Sequence, residues 1–421
     1  MKPIVKSSEE LLPHLFRQEY AKMTAVLCRH FGLAHIELAE DIASETFLKA
    51  SENWPINGIP QNPTAWLYTV AKNKLKDYFK HTAIFESQVK KQIIASPISD
   101  QQDFEFDPKI IADSQLAMIF AVCNPGNPME NQICLALQIL CGFSVGEIAN
   151  AFLTKTETIK KRLLRARNQL RKDHFRIKEL NEKEITQRLE TVLRTLYLLF
   201  NEGYFSKTNN QVIRKDLCSE ATRLALVLTD NPLTKTAQTY ALLSLMCFQS
   251  SRLEARTNPE GEAILFEDQD KSLWDNALIE KGNYYLIHAC SGAEVTKYHL
   301  EAGIAYWHTT PTDQKKWEHI LQLYDQLILI ENSPVTALNR LFALAKVYGN
   351  EKAITEAEEV NDNHSNSYHA LLGYLHAERN IDTAIEHYQQ AINLTKSGTE
   401  KKTLIKEIKR LTKKKTHNKI I

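Results

Sequence analysis

The chain has 421 residues, of which 43% are hydrophobic and 24% charged, with 52 Lys and Arg against 51 Asp and Glu. This is the composition of an ordinary soluble protein that is long enough for about three domains. No apolar run reaches the length of a membrane span, and residues 1–13 lack the apolar core of a signal peptide. A cytoplasmic location is therefore expected.

The sequence lacks the motifs that usually carry enzyme chemistry. The seven Cys are scattered without a C-x-x-C pair, and the fourteen His show no H-E-x-x-H spacing, so neither a disulfide framework nor a metal site is predicted. A Walker loop, a dinucleotide-binding glycine fingerprint and a G-x-S-x-G elbow are also missing from the sequence. We therefore expect a protein that is not an enzyme and that uses no cofactor.

Two helices are predicted before residue 55, because apolar residues recur there at helical spacing. The first apolar stripe consists of Phe16, Tyr20, Met23, Leu27 and Phe31. The second stripe begins with Leu38, Ile42, Thr46 and Ala50. A loop that contains Pro55, Pro60 and Pro63 follows.

A third helix is predicted over residues 64–80, where aromatic and apolar residues are interleaved with cations. Trp66, Val70 and Leu75 lie among Lys72, Asn73, Lys74, Lys76 and Lys80. Aromatic rings beside cations suit unstacked, single-stranded DNA, because bases stack on the rings while the cations hold phosphates. The alternative for Trp66 is a packed position in the core.

Residues 83–113 differ in composition from the segments on either side. They are rich in Gln, Ser and Asp, and they include Pro97 and the Asp107-Pro108 pair. Such a composition is typical of a connecting segment. We predict a linker between two domains here.

Residues 144–171 follow the order of a helix-turn-helix. The apolar positions of the first helix are Val145, Ile148, Ala149 and Phe152, after a start marked by Gly142 and Ser144. The second helix, for which Thr156 or alternatively Thr154 is the predicted N-cap, keeps inward Ile159, Leu163, Ala166 and Leu170. Its predicted outward positions are Lys160, Lys161, Arg162, Arg165 and Arg167.

The N-terminal end of the second helix in such a motif enters the major groove of DNA. Base or phosphate contacts are therefore predicted at Lys155, Thr156, Thr158, Lys160, Lys161, Arg162 and Arg165. The alternative is a solvated basic face, which is a common fate of charge runs. The concentration of Lys and Arg in one helix of an otherwise balanced chain favours localised phosphate contact.

From residue 179 onwards the pattern is helical, without period-2 alternation of any length, and it predicts an all-helical array. Near its end, small and large residues approximate the tetratricopeptide pattern of helix crossings. These residues are Leu372, Gly373, Ala384, Tyr388 and Ala391. Residues 336–360 are a more degenerate copy of the same pattern.

An acidic run at residues 267–270 could in principle bind a metal or act as acid and base. It lacks the spacing and the glycine of a calcium loop, so an ion-pair network with Arg252 and Arg256 is the favoured interpretation. A partner-binding surface is the alternative. Asn201, Glu202 and Tyr204 are candidates for the same surface.

The order of these segments resembles that of an extracytoplasmic-function (ECF) sigma factor of bacterial RNA polymerase. AEDIASETFLKA, residues 39–50, is similar to region 2.2, and NPTAWLYTVAKNKLKDYFK, residues 62–80, is similar to regions 2.3 and 2.4. The resemblance implies core polymerase binding by Asp41, Glu45 and Phe47 and −10 contacts by Trp66, Lys72, Asn73 and Lys76. The helix-turn-helix resembles region 4, which reads the −35 element. For Asp41 and Glu45 the alternative is that both are simply solvated acidic residues.

The resemblance extends past residue 175, where a typical member of the group would end. Residues 196–206 and 251–275 look like segments of the ECF42 subgroup, whose members carry a tetratricopeptide-containing extension. The resemblance implies sigma region 2 at residues 7–82, a linker at 83–113, sigma region 4 at 114–175 and a helical extension at 180–421, with repeats near 335–395. Its implied partners are promoter DNA and core RNA polymerase, at the largest-subunit coiled coil and the flap. At Cys123-Asn124 the chain departs from the Cys-His of relatives, which weakens any metal there.

Two other functions stay open at this point. The chain could be a DNA-binding tetratricopeptide scaffold that regulates transcription without acting as a sigma factor, or its extension could sense a small molecule. As a sigma factor, it would use the extension to control activity, in place of a separate membrane anti-sigma factor or through a regulatory protein or ligand. Binding to duplex DNA without core polymerase would favour the scaffold.

Overall fold

The regular structure of the chain is helical in the computed structural model, and its described residues contain no β-strand, so the all-α prediction is confirmed. The chain divides into two units, Met1–Leu199 and Phe200–Ile421. The structure describes residues 8–89, 107–152, 154–173, 175–205, 211–258, 264, 266–292, 294–310, 315–360, 362 and 364–418.

Among its described residues, the first unit has seven complete helices and most of an eighth. They are α1 (Ser8–Phe31), α2 (Ile36–Asn57), α3 (Pro63–Val89), α4 (Pro108–Val122), α5 (Met129–Ile139), α6 (Val145–Ala151), α7 (Thr156–Lys172) and α8 (Glu182–Phe205). The boundary between the units falls within α8, after Leu199.

The core of the first unit is built from the apolar stripes of α1 and α2. Met23 and Leu27 are fully buried, as are Thr46 and Ala50 on α2. α1 packs against α2 on one side and against α4 on another. Because of this packing, the two segments predicted to bind DNA lie in one unit.

The predicted linker is shorter than residues 83–113. α3 continues to Val89, and α4 already begins at Pro108, with Asp107 accepting a 2.9 Å hydrogen bond from the backbone N–H of Ile110. Proline suits the first turn of a helix, since its missing N–H would have no partner there anyway. The rest of the predicted linker, including Pro97, lies outside the described residues.

The second unit is a succession of helices. They are α9 (Gln211–Val227), α10 (Ala237–Ser250), α11 (Asn276–Ala289), α12 (Lys297–Thr309), α13 (Lys316–Ile330), α14 (Pro334–Tyr348), α15 (Asn350–Val360), α16 (Asn366–His376), α17 (Ile381–Leu394) and α18 (Gly398–Asn418). α10 packs against α9, α11 and α12, and from α12 onwards each helix contacts the next one along the chain.

The helix crossing of α16 and α17 depends on a small residue opposite a large one. A Cβ atom at Gly373 would lie 2.7 Å from the ring of Tyr388, so only glycine permits this approach. Leu372, Ala384 and Ala391 are buried around the same crossing. The small and large residues singled out in the sequence therefore do meet, and their assignment to tetratricopeptide repeats stays a prediction.

Candidate polymerase and nucleic-acid interface

A capping box fixes the start of α6. The Ser144 hydroxyl accepts from the Glu147 N–H at 3.2 Å, and the Glu147 carboxylate accepts from the Ser144 N–H at 2.8 Å. At α7 the prediction was wrong, because the N-cap is Lys155, whose side chain makes no capping hydrogen bond, and Thr156 is the first helical residue. The Thr156 side chain is thus exposed at the end of the helix that carries the free N–H groups.

The inner face of α7 agrees with the prediction, because Ile159, Leu163, Ala166 and Leu170 are all buried. Among the predicted −35 contacts, five side chains are exposed: Lys155, Thr156, Lys160, Lys161 and Arg165. Thr158 and Arg162 are half-buried. Lys160 pairs with Glu157 at 2.8 Å, an exposed contact that a phosphate can replace at little cost.

Two arginines near the C-terminal end of α7 are held by α2. Arg167 donates to Glu40 at 2.9 Å and to Gln138 at 2.9 Å, and Arg171 pairs with Glu37. The side chains of Arg167 and Glu40 are only 12% and 14% exposed, so the predicted outward position of Arg167 was wrong. Both arginines are more than 120 residues away in sequence from their carboxylate partners, so no local spacing indicates these contacts.

The charges of this cluster support each other. Burial lowers the pKa of the Arg167 guanidinium, but the hydrogen bond and the charge of Glu40 raise it by more, so the net shift is upward. Burial likewise raises the pKa of Glu37, yet its backbone hydrogen bond and the pairing with Arg171 and Arg167 bring it below its usual value. Both groups therefore stay charged, and the cluster fixes α7 against α2.

The outer face of α2 presents two of the three residues that were assigned to polymerase binding. Asp41 and Glu45 are exposed, and Glu45 pairs with Lys74 of α3 at 2.5 Å. Phe47 is 7% exposed and lies edge-on to Phe16, with ring centroids 5.1 Å apart, so its side chain belongs to the core and holds the helix in place. Leu48 and Ile56, which no sequence pattern singled out, are 57% and 82% exposed on the same helix.

The predicted −10 residues lie along α3. Trp66 is half-buried and packs edge-on against the buried Trp54, with ring centroids 5.5 Å apart, so the rest of its ring remains accessible. Lys72 is half-buried, whereas Asn73 and Lys76 are exposed. Leu67 and Leu75 are fully buried on the opposite face of α3, which fixes the orientation of this polar surface.

In the second unit, the structure brings together two segments that the sequence could only place side by side. The guanidinium of Arg256 lies 3.7 Å from the ring centroid of Tyr204 and donates to its carbonyl oxygen at 2.6 Å, while Arg252 donates to the Tyr204 hydroxyl at 2.9 Å. The acidic run is engaged elsewhere, because Glu267 pairs with Lys346 at 2.6 Å and Asp270 accepts from the Ser272 N–H. The two arginines thus meet a tyrosine where the acidic run was expected.

The part of the chain that the structure describes shows neither a metal-binding cluster nor a membrane-spanning helix. Within it, no group of three or more His, Cys, Asp or Glu is arranged to hold a metal ion. None of the helices in the same residues is both long and apolar enough to cross a membrane.

Comparison with known proteins assigns a family to the α1–α3 segment. Residues 15–83 match the family described as Sigma-70 region 2, and residues 188–290 match a family of unknown function, DUF6596. Over 127 residues the chain is 28% identical to the ECF RNA polymerase sigma factor BldN of Streptomyces coelicolor, a stretch that covers 29% of this chain and 45% of BldN. The chain therefore carries a sigma-70 region 2 domain, and these matches support an RNA polymerase sigma factor of the ECF type.

A longer match covers most of the chain. Over 356 residues it is 32% identical to an uncharacterized protein of Rhizobium meliloti (strain 1021), which covers 83% of each chain. The chain belongs to the same family as that protein, and the shared length includes most of the second unit. No solved structure matches the chain.

Proposed function

We propose that this protein is a sigma factor that binds core RNA polymerase, recognises the −35 and −10 elements of a promoter and promotes the opening of DNA. The observation that carries the proposal is the sigma-70 region 2 match over α1–α3, in a unit that also holds the basic helix α7. Synthesis of RNA would belong to the polymerase, and this chain would supply binding and not catalysis.

Contact with the −35 element is assigned to the N-terminal part of α7. Lys155, Lys160, Lys161 and Arg165 offer exposed cations for phosphates or base edges, and the half-buried Arg162 lies between them in sequence. Thr156 and Thr158 offer hydroxyl groups near the positive end of the helix dipole. The buried face of α7, formed by Ile159, Leu163, Ala166 and Leu170, fixes the side of the helix from which these groups project.

Capture of the opened −10 strand is assigned to α3. The accessible part of the Trp66 ring can stack on an unpaired base, while Lys72 and Lys76 neutralise backbone phosphates and Asn73 offers hydrogen bonds. The packing of Trp66 on Trp54 supports this role, because a ring already held in place loses little freedom when a base stacks on it.

Binding of core polymerase is assigned to the outer face of α2, where Asp41 and Glu45 supply charge and Leu48 and Ile56 supply apolar surface. Its counterpart would be the coiled coil of the largest subunit, with the flap as the second contact of the sigma factor. Phe47 has a positioning role, since it anchors α2 on α1. The second unit would regulate when initiation takes place.

Multi-round transcription tests the proposal, with purified bacterial core polymerase and the promoter from the gene neighbourhood of this protein. We expect transcripts that depend on the protein and that are lost in Lys160→Gln/Lys161→Gln/Arg165→Gln. The matched control is Lys183→Gln/Lys235→Gln/Lys281→Gln, which changes the same charge at exposed positions outside α7. Absence of both transcripts and core binding, with retained binding to duplex DNA, would move the assignment to a DNA-binding scaffold.

A truncated chain tests the regulatory role of the second unit. The truncation should keep residues 1–199, because Arg188 pairs with Asp173 at 2.7 Å and the Thr195 hydroxyl donates to Gln132 at 2.8 Å, both within the first unit. Altered transcription by residues 1–199 supports regulation by the extension. Promoter firing equal to that of the full chain would contradict it.

A further inference from the structure

The last helix, α18, has an unusual charge content. Its 21 residues include eight Lys and Arg and only two Glu. Since the whole chain carries 52 Lys and Arg against 51 Asp and Glu, the rest of the chain is net acidic. Positive charge is therefore concentrated in this helix, far along the chain from α3 and α7.

Packing fixes which side of α18 faces outward. Leu404 and Leu411 are 6% and 1% exposed and form a cluster with Ala384, Tyr388 and Ala391 of α17. Ile408 packs against the same cluster. The inner face of α18 is thus apolar and occupied by the rest of the second unit.

Four lysines share the opposite face. Lys402, Lys406, Lys409 and Lys413 are spaced by four, three and four residues, which places them within about 60° of the helix circumference. All four are exposed, and none makes an ion pair with any of the described residues. Two of the other four cations of the helix are engaged, because Arg410 pairs with Glu407 and Lys415 pairs with Asp382. We call these four residues the lysine stripe.

The length of the lysine stripe suits duplex DNA. Lys402 and Lys413 are separated by eleven helical steps, which extend about 16 Å, and the major groove of B-DNA is about 12 Å wide. Flexible lysine side chains at the two ends can therefore reach phosphates on both sides of the groove. α18 contains no Phe, Tyr or Trp, the rings on which unpaired bases most often stack.

A membrane surface fits the lysine stripe less well. Helices that lie in a membrane interface insert their apolar face between the lipids, and in α18 that face is buried against α17. Ile405, which is 42% exposed, is the one apolar side chain beside the stripe among the described residues of the helix that is not buried in this way. The mode of binding that fits the lysine stripe is therefore contact through charge alone with a regular array of phosphates.

We propose that α18 is a second DNA-binding element, which holds the phosphate backbone of duplex DNA without regard to its sequence. The lysine stripe supplies the contacts, and the released counterions supply the driving force. This role does not depend on the sigma function, because it requires neither core polymerase nor promoter elements. It gives the second unit a direct contact with the template.

Fluorescence anisotropy with the full-length protein and a labelled duplex of 30 base pairs without promoter elements tests the proposal. The stripe variant is Lys402→Gln/Lys406→Gln/Lys409→Gln/Lys413→Gln, and the matched control is Lys183→Gln/Lys235→Gln/Lys281→Gln/Lys352→Gln, with the same loss of charge at exposed lysines elsewhere. We expect the slope of log K against log salt to fall by about 3 to 4 in the stripe variant, since each lost phosphate contact removes about 0.9. The control should keep the slope of the unaltered protein, since its lysines lie outside the lysine stripe.

Three results would overturn the proposal. These are an unchanged slope in the stripe variant, an equal loss in stripe and control variants, and stripe-dependent binding to vesicles of phosphatidylserine and phosphatidylcholine without stripe-dependent binding to DNA. Circular dichroism of each variant verifies that the helices are intact. The variant Lys160→Gln/Lys161→Gln/Arg165→Gln separates this proposal from the sigma function, because it should lose promoter-specific transcription and still show the slope that depends on the lysine stripe.

Discussion

Helices α7 and α18 look alike in sequence and differ in what their cations contact. Each is basic, and each buries leucines along one side, Leu163 and Leu170 in α7 and Leu404 and Leu411 in α18. In α7, two arginines are tied to carboxylates of α2, whereas the lysine stripe of α18 has no acidic partner among the described residues. Counting cations thus overestimates the charge that α7 can offer to DNA and gives the right value for the outer face of α18.

The difference has a physical origin in burial. Arg167 is half-enclosed by neighbouring helices, and a guanidinium that leaves water needs a carboxylate and hydrogen bonds to compensate. The stripe lysines stay in water and need no such partner. In α7 two arginines serve the structure, whereas in α18 the four lysines of the lysine stripe remain available for binding.

The largest effect is expected when the structural part of α7 is broken. Arg167→Met would leave Glu40 buried without its partner, which should cost about 3 to 5 kcal/mol of the free energy of unfolding. Urea denaturation of the full chain, followed by circular dichroism, measures this. The double variant Arg167→Met/Glu40→Met should recover most of the loss, because it removes both charges; a double variant no more stable than the single one would contradict a direct pairing.

The support of α18 can be broken in a similar way. Gly373→Ala would place a methyl group 2.7 Å from the ring of Tyr388, which packs in the cluster that holds α18, and overpacking of this kind costs about 1 to 3 kcal/mol. Thermal unfolding provides the measurement. Gly398→Ala is the control, since a Cβ atom there has no neighbour within 4 Å. Equal unfolding temperatures of the two variants would show that the crossing of α16 and α17 tolerates the methyl group.

A smaller effect sharpens the comparison by making α7 more like α18. Glu37→Gln should release Arg171 for phosphates and increase the salt slope of DNA binding by about 1. Anisotropy with the same 30-base-pair duplex reports the change. Asp41→Asn removes an exposed carboxylate of the same helix and should leave Arg171 paired, so a slope that rises equally in both variants would indicate only a general effect of net charge.

The smallest effect concerns pH. The pKa of Glu37 is lowered in the folded protein, so its contribution to stability is present above its unfolded pKa, near 4.5, and is lost as the pH falls through the lower folded value. As the pH is lowered from 6 to 3, the free energy of unfolding should therefore fall more steeply in the wild type than in Glu37→Gln. Parallel curves would show that Arg171 does not hold this carboxylate. The unpaired lysine stripe should add nothing to this difference.

Periodicity in the sequence was enough to predict the helices and their inner faces. The four inward positions of α7 and most of the stripes of α1 and α2 are buried as expected, because the burial pattern of a helix is a local property, while Phe16, Phe31 and Leu38 are half-buried. Arg167 was assigned to the wrong side, since its partner Glu40 is distant in the chain and no spacing connects the two. The contact of Tyr204 with Arg252 and Arg256 escaped prediction for the same reason.

The spacing of the lysine stripe, in contrast, is present in the sequence, although the sequence alone does not single it out as a surface. Its spacing of four, three and four residues is a local pattern, but a count of charges does not show which side of a helix is free. The burial of Leu404 and Leu411 supplies that information. For Phe47 the sequence pattern indicated a polymerase contact, but it could not show that the ring packs edge-on against Phe16.

The ion pair between Glu45 and Lys74 joins the outer face of α2 to the polar surface of α3. Glu45 lies on the face of α2 that is proposed to meet the polymerase, and Lys74 belongs to the helix that is proposed to hold the opened strand. If a polymerase side chain pairs with the carboxylate of Glu45, the ammonium group of Lys74 loses its partner. A phosphate of the opened DNA strand can then pair with Lys74. The two binding events are then linked thermodynamically, and each should strengthen the other by the same factor.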